Sequence, residues 1–164
     1  MFRAQAHSFQ QQARLAISLS WIAGYTNILT ILTCGHVTSH VSGTTSDFGR
    51  AAAEGNWRFA AFLCFLLLTF VSGAAVSGFA TELGKRRGWE SIYVLPMAIE
   101  TLLLAAFAIA VEVLSSDSRV HGESLLVLTG LASAAMGLQN ATITRISSGV
   151  VRTTHVTGVL TDLG

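Results

Sequence analysis

The sequence predicts an all-α integral membrane fold: four transmembrane helices plus short broken or re-entrant helices, arranged as a fragment of an inverted 3+3 repeat. Three observations lead there. Of 164 residues 51% are hydrophobic and 12% charged, about half the roughly 25% of an ordinary soluble domain. Four stretches are long and apolar enough to supply the ~20 residues that a bilayer crossing needs. A polar motif at residues 38–49 recurs at 153–164. The composition also sets other classes aside. Too much apolar surface argues against a disordered chain, a formal charge of +1 argues against a nucleic-acid binder, and two cysteines make no disulfide framework.

The first span is expected at about residues 15–33, the second at 57–80, the third at 92–114 and the fourth at about 124–144. The second and third contain nearly unbroken apolar runs, 62–70 and 102–111. The first and fourth are more polar, carrying Asn27 and the pair Gln139 and Asn140. The first is read as a span and not as a secretion signal, because its apolar run exceeds a usual signal core. With the N-terminus in the cytoplasm, the inner side holds Arg3, Arg14, Lys85, Arg86, Arg87, Arg145 and Arg152, and the outer side Arg50, Arg58 and Arg119. That is seven basic residues against three, the asymmetry that orients membrane proteins. Gly73 and Ser77, and Ser133 and Gly137, lie four apart and form small-residue stripes suited to close helix packing in lipid.

The two motif copies align in register. Thr38-Ser39-His40-Val41-Ser42-Gly43-Thr44-Thr45-Ser46-Asp47-Phe48-Gly49 matches Thr153-Thr154-His155-Val156-Thr157-Gly158-Val159-Leu160-Thr161-Asp162-Leu163-Gly164. Upstream, Gly24 and Asn27 correspond to Gly137 and Asn140. The unit is one span, the motif and two more spans. Two copies of an odd unit enter the membrane from opposite sides, as in many secondary transporters, whose sites lie where the halves meet. The chain is thus read as one transmembrane domain over residues 1–164. Repeat one covers about 15–114, and repeat two starts at about 124–164 and is cut short, with two further spans expected after Gly164.

If the motif is helical, His40, Gly43, Thr44 and Asp47 share one face, and His155, Gly158 and Asp162 repeat the pattern. Thr38 or Ser39 would cap the start of the helix and Gly49 its end. A short, Gly-interrupted polar helix beside a long span is what a re-entrant element looks like. Such backbone survives at membrane depth only against protein or a wet cavity. An Asp there can take up a proton or bind a cation, and a His can relay a proton. The glycines would let a solute approach the backbone. Glu100, about nine residues into the third span, is expected to face an interior pathway or carry a proton, since an exposed charge there costs about 2.5–3.5 kcal/mol. Its structural alternative is a pairing with a motif histidine or Asn27. Candidate solute- or ion-binding residues are therefore His40, Gly43, Thr44, Asp47, Glu100, Asn27, Asn140, His155, Gly158 and Asp162. His36 and His40 have the spacing of a two-His metal face, but Val151 replaces His36 in the second copy and no nearby Cys, Asp or Glu except Asp47 could complete three ligands. No metal, cofactor or enzymatic activity is expected, there being no phosphate loop or nucleophile elbow.

Met136-Gly137-Leu138-Gln139-Asn140 followed by Val151-Arg152-Thr153-Thr154-His155-Val156-Thr157-Gly158, with Ala23-Gly24-Tyr25 and Ser39-His40-Val41-Ser42-Gly43-Thr44 earlier, resembles the bacterial YoaK-type family. The likeness runs from Leu15 onward. The chain departs from the family's Thr-Gly-Asn core, reading Ser42-Gly43-Thr44. The resemblance implies a multi-pass bacterial inner-membrane protein of about six spans with a domain of unknown function. The reading is a transporter-like protein that moves a small polar or ionic solute. Its partners would be the lipid bilayer and that solute, with no nucleic acid, and a homo-oligomer is compatible with it. The alternative is a non-transporting membrane assembly or sensory module.

Overall fold

The computed structural model describes residues 9–89, 91–114, 120 and 122–146. Among the described residues every regular element is helical: α1 (Phe9–Cys34), α2 (Val41–Ala53), α3 (Trp57–Arg86), α4 (Val94–Leu114) and α5 (Glu123–Ile146). α1, α3, α4 and α5 are the four expected spans, each long and apolar enough to cross a membrane. α3 runs past Ala80 through Arg86, because Lys85 and Arg86 in its last turn suit the negative end of the helix dipole. Asn56 caps its start, the side-chain oxygen accepting from the Phe59 amide at 3.3 Å. Past its end Gly88, at φ +66°, lets the next amide fold back onto the Gly84 carbonyl. Pro96 sits in the first turn of α4, where a missing N–H leaves no helical bond unmade.

α5 is the central helix. Two thirds of its membrane window, 67%, is buried, against 17–28% for the other three spans. α1 and α4 pack on it antiparallel: Leu19 clusters with Ile143 and Ile146, Ala23 with Ala135 and Met136, and Phe107 with Leu128 and Ala132. α3 lies parallel to α5 in the most extensive contact of the bundle. All four residues of the predicted stripes meet there. A Cβ on Gly137 would collide with the Phe70 carbonyl, and one on Gly73 with the Ala134 carbonyl. Ser133 Oγ donates to the Leu66 carbonyl at 2.9 Å, and the Ser77 and Thr142 hydroxyls lie 2.9 Å apart. Lipid gives helices no hydrophobic reason to associate, so this backbone-level approach is what holds them.

These directions place Arg14, Lys85, Arg86, Arg87 and Arg145 at one end of the bundle and Arg50 and Arg58 at the other. Large apolar side chains such as Trp21, Phe79 and Leu102, each at least 70% exposed, face outward. A bilayer would cover them.

Candidate functional site

The polar segment after α1 turns back into the bundle. Gly35, at φ +73°, ends the helix while its N–H still reaches the Ile31 carbonyl at 2.9 Å. The chain then returns alongside α1, where Asn27 Nδ2 donates to Ser39 Oγ at 2.6 Å. Asn27 lies seven residues before Cys34, roughly 10 Å down a helix rising 1.5 Å per residue. On the other side of the linker the Ser133 hydroxyl stands 3.5 Å from the Thr38 carbonyl. Thr38 and Ser39 are both buried. From this depth α2 climbs back beside α3, with Phe48, Ala51 and Ala52 packed against Phe59, Ala60 and Leu63. Within the bundle the element thus turns in from one end and leaves by that same end, the path expected of a re-entrant helix.

Its ends differ from expectation. Thr38 and Ser39 do not cap α2: the helix starts one residue later than expected, the Ser39 hydroxyl is taken by Asn27, and the Thr38 hydroxyl makes no cap bond. His40 occupies the cap position and makes no side-chain cap bond. Gly49 does not stop the helix either. The packing of Ala51 and Ala52 on α3 carries it to Ala53, and Gly55, at φ +73°, makes the turn. Within α2 the hydroxyls of Thr44, Thr45 and Ser46 each bond the carbonyl four residues back, at 2.8–3.1 Å. The helix thus satisfies most of its own polar side chains.

His40, Gly43, Thr44 and Asp47 come together as the helical spacing requires. They line one side of a cavity of about 230 Å³, with His36 beside them and Phe59, Leu63 and Leu66 opposite. Gly43 does not open the backbone to a solute. The His40 ring lies over it, and a Cβ there would stand 2.8 Å from Nδ1. The i, i+3 pairing of His with Gly thus has a packing cause. Gly43→Ala is expected to swing the imidazole off the first turn of α2, changing its NMR shifts while the helix content seen by circular dichroism stays unchanged. Asp47 accepts from Arg50 Nη2 at 3.0 Å, both side chains at least half exposed, an arrangement worth about 0–1 kcal/mol. His36 packs on Phe62, with ring centroids 4.8 Å apart. Burial holds its pKa below the ordinary histidine value, so the ring stays neutral against its aromatic neighbours.

Glu100 does not line this cavity. It is buried on α4, 4% exposed, and the polar side chain beside its carboxyl is that of Gln139, not a motif histidine or Asn27. Gln139 Nε2 also donates to the Leu19 carbonyl at 3.1 Å, so one amide ties α1, α4 and α5. Gln139 lies six residues beyond Ser133 on α5, so this layer is roughly 9 Å along the axis from the re-entrant tip. Asn140 is half-buried, whereas Gln139 is wholly buried. The repeat with Asn27 drew attention to Asn140, but its neighbour is the residue the fold turns inward. Ser39, Ser133 and Gln139 join the candidates. Ser133 was flagged by its place in the small-residue stripe, Gln139 by the polar pair it forms with Asn140 in an apolar span, and Ser39 by its place in the repeated motif. His155, Gly158 and Asp162 lie outside the described residues.

Three buried side-chain oxygens have no hydrogen-bond partner among the described residues: Asn27 Oδ1, Thr38 Oγ1 and Gln139 Oε1. Two flank the re-entrant tip and the third stands in the Glu100 layer. Buried polar atoms are nearly always satisfied, so such orphans mark places where a water, ion or proton belongs.

No curated protein and no solved structure matches this chain. A family described as "Protein of unknown function (DUF1275)" matches residues 15–164. That match takes in all four spans, the re-entrant element and the second copy of the motif. Met136 to Gly164, the block with the most specific YoaK-type likeness, falls wholly inside it. With nearly the full length matched, the chain belongs to the DUF1275 family, a family of unknown function whose apolar helices in this member suit a membrane protein.

Proposed function

We propose that this is a transporter-like protein of the bacterial inner membrane that moves a small polar or ionic solute. Its N-terminus and the basic end of the bundle lie in the cytoplasm. The observation that carries the reading is the re-entrant tip: irregular, buried backbone held by Asn27 and Ser133, next to a cavity lined by His40, Thr44 and Asp47. Broken helices beside a polar cavity are how transporters bind solutes and ions. The basic residues gathered at one end support the orientation. The antiparallel packing of α1 on α5 supports the inverted repeat. Ala23 clusters with Met136, each one residue before the repeated glycines Gly24 and Gly137, as a two-fold axis in the membrane plane would require.

The test is flux in proteoliposomes holding the full chain and a trapped pH-sensitive dye, driven by an imposed pH or sodium gradient. Wild type is expected to dissipate the gradient faster than protein-free vesicles. Asp47→Asn and His40→Ala are expected to fall to the protein-free rate while keeping their helix content. Wild-type flux equal to that of empty vesicles overturns the proposal.

The exposed Asp47–Arg50 pair favours a second reading, a non-transporting module that docks a partner at the outer end of α2. That reading expects no flux, and expects Arg50→Glu to abolish a cellular phenotype.

A further inference from the structure

We propose that Glu100 and Gln139 form an acid–amide pair in which Glu100 holds a proton and donates it to Gln139 Oε1, making this layer the coupling-proton site of the transporter. The inference rests on the transport reading above for the word coupling, but not for the pair itself.

A primary amide offers two N–H groups and one oxygen, while a carboxylate offers acceptors only. One Nε2 hydrogen of Gln139 goes to the Leu19 carbonyl at 3.1 Å, and the other is free for the Glu100 carboxyl beside it. Gln139 Oε1 then has no partner, although Gln139 is 0% exposed and Glu100 4%. Were Glu100 ionised, it could accept from Nε2, but Oε1 would still face it as a second acceptor with no donor of its own. A neutral acid resolves this in one step: its carbonyl accepts from Nε2 and its O–H donates to Oε1. Every polar atom of the pair is then satisfied, as buried networks require.

Among the described residues the surroundings supply no other countercharge. Of the titratable groups on the packed elements, Arg14 on α1, Glu82 on α3, Tyr93 before α4 and Arg145 on α5 lie toward the basic end of the bundle, Cys64 on α3 and Glu112 on α4 toward the other end, and Tyr25 on α1, 67% exposed, is turned outward. Arg145 directs Nη1 to the Ser77 hydroxyl and the Ala141 carbonyl, and Glu82 pairs with Arg86. A metal ion fits the layer poorly. Hard cations take about six oxygen ligands. This layer offers one carboxyl, one amide oxygen and a carbonyl already in use, and its other neighbours, Ala23, Leu103, Ala135 and Met136, are apolar. A proton needs only the two oxygens that are there.

The cycle is simple. When the Glu100 O–H bond breaks, the proton passes to water and its electron pair stays on the carboxylate. The carboxylate and Oε1 then repel as facing acceptors, and the layer binding α1, α4 and α5 must open to admit water. Reprotonation closes it. The re-entrant cavity lies roughly 9 Å along α5, on the helix that both layers share.

Infrared spectroscopy of the full chain in lipid tests this without any flux. At neutral pH wild type is expected to show a hydrogen-bonded carboxylic-acid carbonyl band that shifts in heavy water. Glu100→Gln should remove the band, Asp47→Asn should leave it, and Gln139→Leu should move it to the position of an acid with no partner. The Gln139→Leu arm keeps the test decisive if Glu100→Gln fails to fold. A spectrum without such a band, or one unchanged by both variants, overturns the proposal. So does a band that disappears when sodium chloride replaces choline chloride, since a metal ion would then be the occupant. A band that behaves as expected in a protein without flux would retain the acid–amide pair and reject the transport reading. Flux without the band would do the reverse.

Discussion

Gly137→Val is expected to drive α3 away from α5 and destabilise the bundle by about 3 kcal/mol, the upper end for an overpacked interior site. The cause is backbone against backbone. A Cβ at residue 137 meets the Phe70 carbonyl, and the reciprocal contact sets Gly73 against the Ala134 carbonyl. Neither obstacle is a side chain that can rotate aside, so the helices must separate. Separation also lengthens the bonds between Ser133 and Leu66 and between Ser77 and Thr142. Two other glycines calibrate the effect. Gly130→Ala would meet the tip of the Phe65 ring at 2.9 Å, a group able to swing away, and is expected to cost about 1 kcal/mol or less. Gly24→Ala meets nothing within 4 Å and is expected to be neutral. Reversible denaturant unfolding in bicelles measures all three. Equal effects at the three positions would show that the α3–α5 approach does not govern the result, and helix propensity alone would make both alanine variants more stable.

Gln139→Leu is expected to be the second most damaging change, destabilising by about 2–3 kcal/mol. It removes the amide that stands beside Glu100 and donates to the Leu19 carbonyl, leaving a buried carboxyl without its polar neighbour. Adding Glu100→Leu should recover most of the loss, because deleting both partners of a buried pair is far milder than deleting one. The double-mutant cycle over Glu100 and Gln139 checks this through bicelle unfolding. Additive losses, with no recovery in the double variant, would show that the two side chains do not act as a pair.

The four spans were legible because a bilayer imposes a length and a composition that can be counted along the chain. The more polar character of the first and fourth spans has a structural reason. α5 is enclosed by protein, so its Ser133, Gln139 and Thr142 face neighbouring helices where hydrogen bonds are available. α1 likewise turns Asn27 toward Ser39. The stripes of Gly73, Ser77, Ser133 and Gly137 were legible as packing surfaces, though not as two halves of one interface. The helical face of His40, Gly43, Thr44 and Asp47 followed from periodicity alone. Partners did not. That Glu100 meets Gln139 depends on α4 running antiparallel to α5 in one register, and no local pattern records that. Gly49 looked like a helix end because glycine often is one, but packing of the following alanines on α3 outweighed that preference.

The central place of α5 bears on how the protein is made. It follows the other three spans in the chain, yet α1 and α4 have their main contacts with it. During synthesis the earlier helices enter the bilayer without the surface they will share, and Gly73 waits for a neighbour not yet translated. Assembly is thus set by the arrival of the last described helix. Until then the nascent protein has α2 on α3 and a lighter contact of α3 with α4, but no central surface, and it stands exposed to membrane quality control.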